Sequence, residues 1–585
     1  MLNDKYLSKQ QQDAILEERH VLLTACPGSG KTRVLTHKIA YELDKIQETK
    51  RRIVALTYTN RAADEIKRRI VQMDIDPEKL WEGTIHSFCL EWILRPYAPY
   101  LNELKNGFSI ADEYKSEKLM EELKDSYGYE WWTRITTRLQ TDGAYVEPDI
   151  RYHELLTDYH IALEDEGLID FDQILYYAYK LLNKFPKIAK TLSNLFHMIC
   201  VDEYQDTQQL QYAILAKILS AENCKTKLFM VGDKDQAIYG SLGGVAKNLE
   251  EIKDEFKNID IVELQLSGNY RSTQRVIDYY RNYQTEPIDI RSLIKYANEH
   301  GLITYNEQIK KADLDEHIAT IIQENLDNGI PEHEICVLAP QWWLVIPMGR
   351  KLKKLLPNVN FDALGLSPLL KSKENIWFKI TRLFLVEPSP KMFFIRSKWA
   401  KELIEELNQY GISMLEINNK KLLRIINLIS SEEDEGIKYL EECCTTFLVN
   451  LGIDINNHPK LKQQWEHFFE GCRKRLDNKD FDYAKDIKSF RRLFKNNDGV
   501  VVNTCHGIKG EEYHTVIAFG LLQGYIPNWN ELDQTVAAQK LLYVICSRSK
   551  KNLHLISERG RYTKAGHKEY GSTFNLTRVS YDYDT

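Results

Sequence analysis

Short apolar runs recur along the chain, and polar or glycine-rich residues bound each of them. Runs that are apolar on both faces are typical of parallel strands buried in an α/β sheet. Four lie before residue 235 and four after residue 260, which predicts two doubly wound parallel-sheet domains. The runs cover residues 21–24, 53–56, 198–201, 228–231, 261–266, 335–338, 500–502 and 516–519.

Two long stretches with helical periodicity interrupt these predicted strands. Segments such as 400–407 and 463–475 place apolar residues on one helical face. We therefore predict that each α/β domain carries a mainly helical insertion. The predicted boundaries are 1–90 and 196–265 for the first domain with its insertion at 91–195, and 266–375 and 496–585 for the second domain with its insertion at 376–495.

Composition and charge exclude few functions. The chain has 585 residues, of which 43% are hydrophobic and 28% are charged, as in ordinary globular proteins. Its net charge of -7 does not point to nucleic acid, although binding needs only a local basic groove. The cysteines form no C-x-x-C pair, and neither a signal peptide nor an apolar run of about 20 residues is visible. These features predict a reduced, cytoplasmic protein without membrane contact.

A glycine-rich loop lies between the first predicted strand and a predicted helix at 33–43. Strand, loop and helix in this order are the context that a phosphate-binding loop requires. Glycines let backbone N–H groups face a phosphate chain, the lysine reaches the outer phosphates, and the threonine hydroxyl binds Mg²⁺. We therefore predict a site for ATP and Mg²⁺. The loop consists of Ala25, Cys26, Pro27, Gly28, Ser29, Gly30, Lys31 and Thr32.

An acidic pair, Asp202 and Glu203, follows the predicted strand at 198–201. Carboxylates at the carboxyl end of a buried strand suit metal binding and the activation of water. Two exposed carboxylates at a strand end are the alternative, which the phosphate loop elsewhere in the chain makes the weaker interpretation.

An ordered series of short motifs resembles the UvrD/Rep/PcrA family of superfamily 1 helicases, from residue 7 to about residue 556. This resemblance implies two RecA-like motor domains. The motifs are KTRVLTH at 31–37, TYTN at 57–60, DEYQDT at 202–207, VGD at 231–233 with Gln236, NYRST at 269–273, TCH at 504–506, Lys509 and Gly510 with Glu512, and Tyr543 and Val544 with Ser547 and Arg548.

The resemblance also implies roles for residues around the nucleotide. Gln11 would read the adenine edge, Tyr270 would stack on the base, and Arg33, Gly510 and Glu512 would lie near the nucleotide. Thr32 and Asp202 would hold Mg²⁺, Glu203 would activate water, and Gln236 would sense the γ-phosphate. The phosphate lysine would be Lys31, and the two arginine fingers would be Arg271 and Arg548.

Arginine suits these last two positions for a physical reason. Phosphoryl transfer spreads negative charge over three oxygens, and a planar guanidinium stabilises that charge better than an ammonium group does. The predicted boundaries place Arg271 and Arg548 in the second domain and Lys31 in the first. Hydrolysis would then require the two domains to close on ATP.

The resemblance implies a set of DNA contacts as well, made by threonines on phosphates and by aromatic rings on bases. For Tyr58, and for Phe88 beside His86, packing in the core is the alternative interpretation. The predicted DNA-binding residues are Thr57, Tyr58, Asn60, Thr84, His86, Tyr239 and His506.

The chain departs from the family pattern after Gly240, where Ser241 and Leu242 replace the usual Trp-Arg pair. A base-stacking residue is therefore missing there or is supplied elsewhere. Trp342 and Trp343 are an available substitute, although we favour core packing for them. The second insertion is also smaller than is usual in the family, which makes unaided unwinding of duplex DNA uncertain.

These patterns predict an ATP-dependent translocase or helicase that acts on single-stranded or tailed duplex DNA. The 3′-to-5′ polarity follows from the resemblance only. The alternative is a DNA-sensing ATPase subunit of an antiphage defence complex with a partner nuclease, like the helicase subunit of the Gabija system, with weak unwinding alone. A nucleotide-binding scaffold without activity is disfavoured because no catalytic position is lost.

Overall fold

A computed structural model divides the chain into two compact units. The first unit comprises Met1–His300 and Pro527–Ser547, and the second comprises Gly301–Ile526 and Arg548–Thr585. The structure describes residues 7–111, 113–240, 243–257, 259–363, 366, 369, 375–390, 392–477, 485–494, 499–527, 531, 533–563 and 568–584.

The first unit is built on a parallel sheet with the strand order β3-β2-β6-β7-β1-β8. Strand β1 lies between β7 and β8, and alternate residues point to opposite layers: Leu22 packs in one core cluster, whereas Val21 and Leu23 pack in another. Strand β8, counted above among the later apolar runs, completes this first sheet beside β1. The strands are β1 His20–Ala25, β2 Arg52–Thr57, β3 Leu80–Thr84, β4 Ser109–Ile110, β5 Leu168–Ile169, β6 Phe196–Asp202, β7 Lys227–Gly232, β8 Ile261–Leu266, β9 Gly268–Asn269 and β10 Arg291–Ser292.

Helices cover both faces of this sheet and form most of the predicted insertion at 91–195. The α-helices of four or more residues are Lys9–Leu16, Lys31–Lys45, Asn60–Gln72, Ile85–Phe88, Glu113–Ser126, His153–Asp165, Phe171–Lys184, Pro186–Leu195, Gln209–Leu219, Leu249–Glu255, Gln274–Tyr280 and Gln534–Cys546, and a π-helix spans Cys89–Leu94.

The second unit contains another parallel sheet, with the strand order β11-β16-β15-β12-β14-β13. The apolar runs predicted β12, β14 and β15, but not β16, because β16 carries the half-buried polar residues Lys550, Lys551 and Asn552. The strands are β11 Ile303–Asn306, β12 Ile335–Ala339, β13 Phe361–Ala363, β14 Val500–Thr504, β15 Tyr513–Ala518 and β16 Ser549–Ile556.

Helices of the second insertion enclose a hydrophobic core of their own, in which the Trp377 ring lies edge-on to Trp465 at 4.5 Å. The helices of the second unit are Leu314–Asp327, Trp342–Leu355, Ile376–Leu385, Phe393–Gln409, Asn419–Asn427, Gly436–Asn450, Pro459–Leu476, Ile487–Arg492 and Phe574–Thr577. Among the helices that the structure describes, none combines the length and the apolar character needed to span a bilayer.

The predicted fold class is confirmed: the protein is α/β, with parallel sheets and many helices. The units divide the chain differently from the predicted boundaries, because residues 266–300 and 527–547 belong to the first unit. Packing explains this difference, since the Tyr543 ring lies edge-on to Tyr280 at 5.3 Å, which joins the helices Gln534–Cys546 and Gln274–Tyr280.

Candidate functional site

The phosphate loop leaves the carboxyl end of β1 and enters the helix Lys31–Lys45. Gly28 and Gly30 have φ angles of 70° and 81°, in the left-handed region that favours glycine. A Cβ atom at Gly28 would lie only 2.6 Å from the Cβ atom of Arg271. The two glycines therefore allow the shape of the loop, and the positive end of a 15-residue helix favours a bound phosphate.

A buried asparagine clasps this loop to a segment more than 200 residues away in sequence. Asn269 is fully buried, and its Nδ2 donates a hydrogen bond to the carbonyl oxygen of Pro27 at 2.8 Å. Its Oδ1 accepts the backbone N–H groups of Arg271 at 2.7 Å and Ser272 at 2.8 Å. The Tyr270 N–H donates to the Gly28 carbonyl oxygen at 2.8 Å. Tyr270 and Arg271 are thereby fixed beside the phosphate loop, although the sequence analysis gave Asn269 no role.

The two predicted arginine fingers lie in different units. Arg271 belongs to the first unit, not to the second domain as predicted, and its Nη1 donates to the carbonyl oxygen of Ser547 at 2.9 Å. Arg548, the next residue along the chain, belongs to the second unit. There it is buried, and its Nη1 donates to the carbonyl oxygen of Glu511 at 3.3 Å.

Lys31 of the loop forms an ion pair with Glu203, with 3.5 Å between Nζ and Oε2. Both side chains are largely but not fully buried, at 12% and 22% exposure. Glu203 follows β6 with a φ angle of 52°, a left-handed conformation that costs a residue other than glycine about 1–3 kcal/mol. Strain of this kind collects at functional sites, and here it places the predicted water-activating carboxylate beside the phosphate lysine.

Buried carboxylates gather at this edge of the first sheet. Burial, helped by the neighbouring Glu203, raises the pKa of Asp202 to about 7, while Lys31 opposes the shift. Burial likewise raises the pKa of Asp233 to about 6. Asp202 together with the Thr32 hydroxyl offers the oxygen ligands that Mg²⁺ prefers.

Magnesium beside a phosphate loop commonly takes only one or two protein ligands and completes its shell with phosphates and water. The described part of the chain has no group of three or more His, Cys, Asp or Glu residues arranged to hold a metal alone. The residues present fit a metal that arrives with its nucleotide.

A glutamine that the sequence analysis passed over joins these acidic groups. Gln205 donates from Nε2 to Glu203 Oε2 at 2.6 Å, and its Oε1 accepts the Asp233 N–H at 3.0 Å. Gln236 in turn donates to Asp233 Oδ2 at 2.7 Å. A Cβ atom at residue 232 would lie 2.1 Å from Gln205 Oε1, so Gly232 is what lets this side chain pass. The predicted γ-phosphate sensor is thus connected to the predicted catalytic base.

Gln11, the predicted adenine reader, lies buried next to the loop. Its Oε1 accepts the Ser8 N–H at 3.0 Å, and its Nε2 donates to the Ser29 carbonyl oxygen at 3.0 Å. A carboxamide offers two N–H groups and two lone pairs, so one of each remains for an adenine edge. Of the other residues predicted near the nucleotide, Ala25 ends β1, Cys26 donates its N–H to the Leu266 carbonyl oxygen of β8, and Thr32 and Arg33 lie in the first turn of the helix.

The predicted DNA contacts of the first unit lie, like the phosphate loop, at the carboxyl ends of the strands. Thr57 and Thr84 end the neighbouring strands β2 and β3 and face each other in register. The rings of Tyr58 and Tyr239 stack, with 4.7 Å between centroids and 18° between planes. Tyr58 is 44% exposed, so core packing does not account for it, whereas Phe88 is fully buried in the core.

His86 and Asn60 are two further predicted DNA contacts of the first unit. His86 lies edge-on to Phe171 at 5.8 Å, and burial lowers the pKa of its imidazole to about 4, so the ring is neutral at pH 7. Asn60 begins the helix Asn60–Gln72, but its side chain lies outside the described part of the structure. Ser241 and Leu242 are also outside the described residues.

The second unit separates its predicted nucleotide and DNA contacts. Gly510 and Glu512 precede β15, Arg548 precedes β16, and Glu512 lies 3.8 Å from Lys550. His506 instead follows β14. All these strands run parallel, so the predicted nucleotide contacts lie at their amino ends and His506 lies at the carboxyl ends. The two ends are about 16 Å apart for strands of five residues.

Two tryptophans of the second unit are exposed, contrary to prediction. Trp342 and Trp343 open the helix Trp342–Leu355, and they are 63% and 41% exposed. The expectation that they pack in the core is therefore wrong.

Comparison with known proteins agrees with this geometry. A family model described as the UvrD/REP helicase N-terminal domain matches residues 7–257. The ATP-dependent DNA helicase PcrA of Staphylococcus aureus is 29% identical over 357 residues, covering 57% of this chain and 47% of the relative. PcrA of Staphylococcus epidermidis is 29% identical over 358 residues, covering 57% of this chain and 48% of the relative. A probable DNA helicase II homolog of Mycoplasma capricolum is 25% identical, covering 99% of this chain and 88% of the relative.

Two parallel sheets, one of which carries a phosphate loop and an acidic strand end, define an α/β protein of the P-loop class. Within that class, residues 7–257 match the model of the UvrD/REP helicase N-terminal domain, and the chain is similar to the PcrA and DNA helicase II relatives. The match spans about half the length of the PcrA relatives. The resemblance to this family is confirmed, whereas the likeness to the Gabija helicase subunit stays a prediction.

Proposed function

We propose that the protein is an ATP-driven motor that moves on single-stranded DNA with 3′-to-5′ polarity. The observation that carries this proposal is the ion pair between Lys31 and Glu203 beside the phosphate loop. Relatives named as DNA helicases support DNA as the track, and the exposed stack of Tyr58 and Tyr239 supports contact with a single strand.

The ion pair suggests how binding prepares the catalytic base. The outer phosphates of ATP compete with Glu203 for the Lys31 ammonium group. Once Lys31 turns to the phosphates, the Glu203 carboxylate can accept the proton of the attacking water. The water oxygen bonds to the γ-phosphorus, the bond from that phosphorus to the bridging oxygen breaks, and ADP and phosphate form.

Thr32 and Asp202 would hold Mg²⁺ in this site. When bound, the metal neutralises charge on the β- and γ-phosphates. Asp202 suits this role because it lies buried at the end of β6, in the same strand-end region as the phosphate loop.

Two arginines are proposed to stabilise the charge that develops during transfer. Arg271 is held beside the loop by Asn269, and its guanidinium donates to the Ser547 carbonyl oxygen. We keep the role of second arginine finger for Arg548, as the family resemblance implies. Gln11 and Tyr270 are proposed to bind adenine, and Glu512 and Gly510 to bind nearby parts of the nucleotide.

Hydrolysis and DNA contact are proposed to be coupled through the hydrogen-bonded series Glu203, Gln205, Asp233 and Gln236. Tyr239, which stacks on Tyr58, lies three residues after Gln236 on the same loop. A shift of Glu203 on phosphate binding would therefore reach Gln236 through hydrogen bonds, and the aromatic pair through the short backbone segment from Gln236 to Tyr239.

Strand displacement tests activity and polarity together. We expect ATP turnover to rise on addition of single-stranded DNA, and a duplex with a 3′ tail to be separated in preference to one with a 5′ tail. DNA-stimulated turnover without separation of either duplex would restrict the function to translocation. Turnover that is indifferent to DNA would contradict the motor.

The alternative, an ATPase subunit that works with a nuclease in antiphage defence, remains a prediction from the sequence. The same assay addresses it, because that alternative expects weak turnover and weak unwinding until the partner is added. Full DNA-stimulated activity of the isolated chain would argue against it.

A further inference from the structure

Two indole rings stand in solvent on the first turn of the helix Trp342–Leu355. Each ring has a large apolar surface. A second exposed pair, Trp131 and Trp132, lies in the first unit, so exposure alone assigns a role to neither pair. Trp343 is braced, since its ring lies edge-on to Tyr525 at 5.2 Å and 90°. The next residues, Leu344 and Val345, are buried in the core of the unit and fix this turn in place. The indoles are therefore presented on a rigid support.

The position of the pair relates it to a predicted DNA contact. Strand β12 ends at Ala339, which pairs in register with Thr504 at the end of β14, and the Cys505 N–H donates to the Ala339 carbonyl oxygen at 3.0 Å. Neighbouring strands lie about 4.8 Å apart. Trp342 follows β12 by three residues, and His506 follows β14 by two. Both therefore leave the same edge of the second sheet.

We propose that Trp342 and Trp343 form a base-stacking surface for single-stranded DNA on the second unit. The inference rests on the proposed function and extends it to residues outside the motifs quoted above. A base stacked on an aromatic side chain contributes about 1–3 kcal/mol. The positive end of this 14-residue helix favours a phosphate beside the rings. A duplex keeps its base faces stacked inside, so the surface selects single strands.

Equilibrium binding to two oligonucleotides tests this proposal. One is a labelled oligothymidine, and the other is an abasic strand of the same length, which keeps the phosphates but lacks base faces. We expect Trp342→Ala to weaken oligothymidine binding by about 5- to 150-fold, the equivalent of 1–3 kcal/mol. Binding of the abasic strand should change by less than about 2-fold, because phosphate contacts remain. Trp342→Phe should restore most of the affinity, since a phenyl ring still stacks.

The matched control is Trp131→Ala, which removes a tryptophan that is 74% exposed in the insertion of the first unit. We expect this variant to bind both strands as the unchanged protein does. Equal weakening for oligothymidine and the abasic strand in Trp342→Ala, or unchanged binding in that variant, overturns the stacking surface. An equal loss in Trp131→Ala would also overturn it. The failure of the proposed function looks different, because the unchanged protein would then bind neither strand.

Discussion

In the first unit, the residues proposed to bind ATP and those proposed to contact DNA both follow the carboxyl ends of strands. Lys31 follows β1, Glu203 follows β6, and Thr57 ends β2. In the second unit, Glu512 precedes β15, whereas His506 follows β14. In the first sheet the residues proposed for ATP and those proposed for DNA therefore lie at the same ends of the strands. In the second sheet the length of a strand separates them.

The two sheets also differ in the side chains that lie at these strand ends. The shared edge of the first sheet holds Asp202 and Asp233, buried carboxylates with raised pKa values, and a hydrogen-bonded series that reaches from Glu203 to Gln236. A movement of one of these side chains can therefore reach the others through side-chain hydrogen bonds. In the second sheet the strands themselves connect the two edges, so a change at one edge reaches the other by movement of a rigid element. We infer that the first unit carries the phosphate lysine, the catalytic base and the metal ligands, to which the second unit adds Arg548.

Replacement of Lys31 by Ala should have the largest effect, because the first unit then loses its cation at the phosphate loop. We expect ATP turnover to fall by about 10³-fold, by analogy with the loss of one group that stabilises developing charge. Phosphate release at saturating DNA measures it. DNA binding without nucleotide should be largely retained, since Lys31 is not among the proposed DNA contacts.

Lys45→Ala is the matched control on the same helix. Lys45 lies in its last turn, partly exposed, and pairs with Glu18 at the surface. We expect turnover close to that of the unchanged protein. Turnover retained in Lys31→Ala would contradict the assignment of the chemistry to the first unit.

Local patterns predicted much of this architecture. The loop at Gly28 to Lys31 was predictable because strand, glycines and helix are adjacent in sequence. The exposed aromatic at Tyr58 and the acidic end of β6 were predictable for the same reason, since each motif contains its own context. Strand β16 was missed because its first residues are polar, and its pairing with β11 and β15 becomes visible only in the folded sheet.

Contacts between distant segments could not be predicted in this way. Asn269 and Pro27 are 242 positions apart, and only the fold shows that one binds the carbonyl of the other. Gln205 stands inside a motif, yet its bonds to Glu203 and Asp233 require β6 and β7 to be neighbours. The exposure of Trp342 was likewise hidden, because an apolar segment at a helix start predicts burial unless the unpacked face is seen.

Replacement of Asn269 by Ala should have the second largest effect, because it opens the clasp on the phosphate loop. The Pro27 carbonyl and the Arg271 and Ser272 N–H groups would lose a buried partner, at about 1–3 kcal/mol for an unsatisfied group. We expect the free energy of unfolding to fall by about 3 kcal/mol and the KM for ATP to rise. Urea unfolding and ATP titration measure these changes.

Asn282→Ala is the matched control, because it removes an asparagine that does not bind the phosphate loop. Asn282 is exposed, and its Nδ2 donates to two helix carbonyl oxygens near the surface. We expect a change in stability of less than about 1 kcal/mol and an unaltered KM for ATP. If Asn269→Ala behaves like this control, the loop does not depend on the clasp.

A smaller effect should appear in the second unit on acidification. His554 of β16 is buried, its Nδ1 lies 2.9 Å from the Thr304 hydroxyl, and its Nε2 has no hydrogen-bond partner in the described structure. Burial lowers the pKa of this imidazole to about 4, and His317 adds to the shift while Asp584 opposes it. Because the folded pKa lies below the unfolded value, the stabilisation is complete above about pH 6.5 and is lost as the pH falls towards 4.

The expected loss is about 2 kcal/mol of unfolding free energy at about pH 5 relative to neutral pH. Urea unfolding at both pH values, for the unchanged protein and for His554→Gln, measures it. Glutamine does not titrate, so the variant should show a shallower pH dependence, although its stability at neutral pH is lower. Hydrogen exchange in β16 locates the effect, since protection there should fall with pH before protection in β1 does. Equal pH dependence in both proteins would show that the buried imidazole does not set the acid stability of the second sheet.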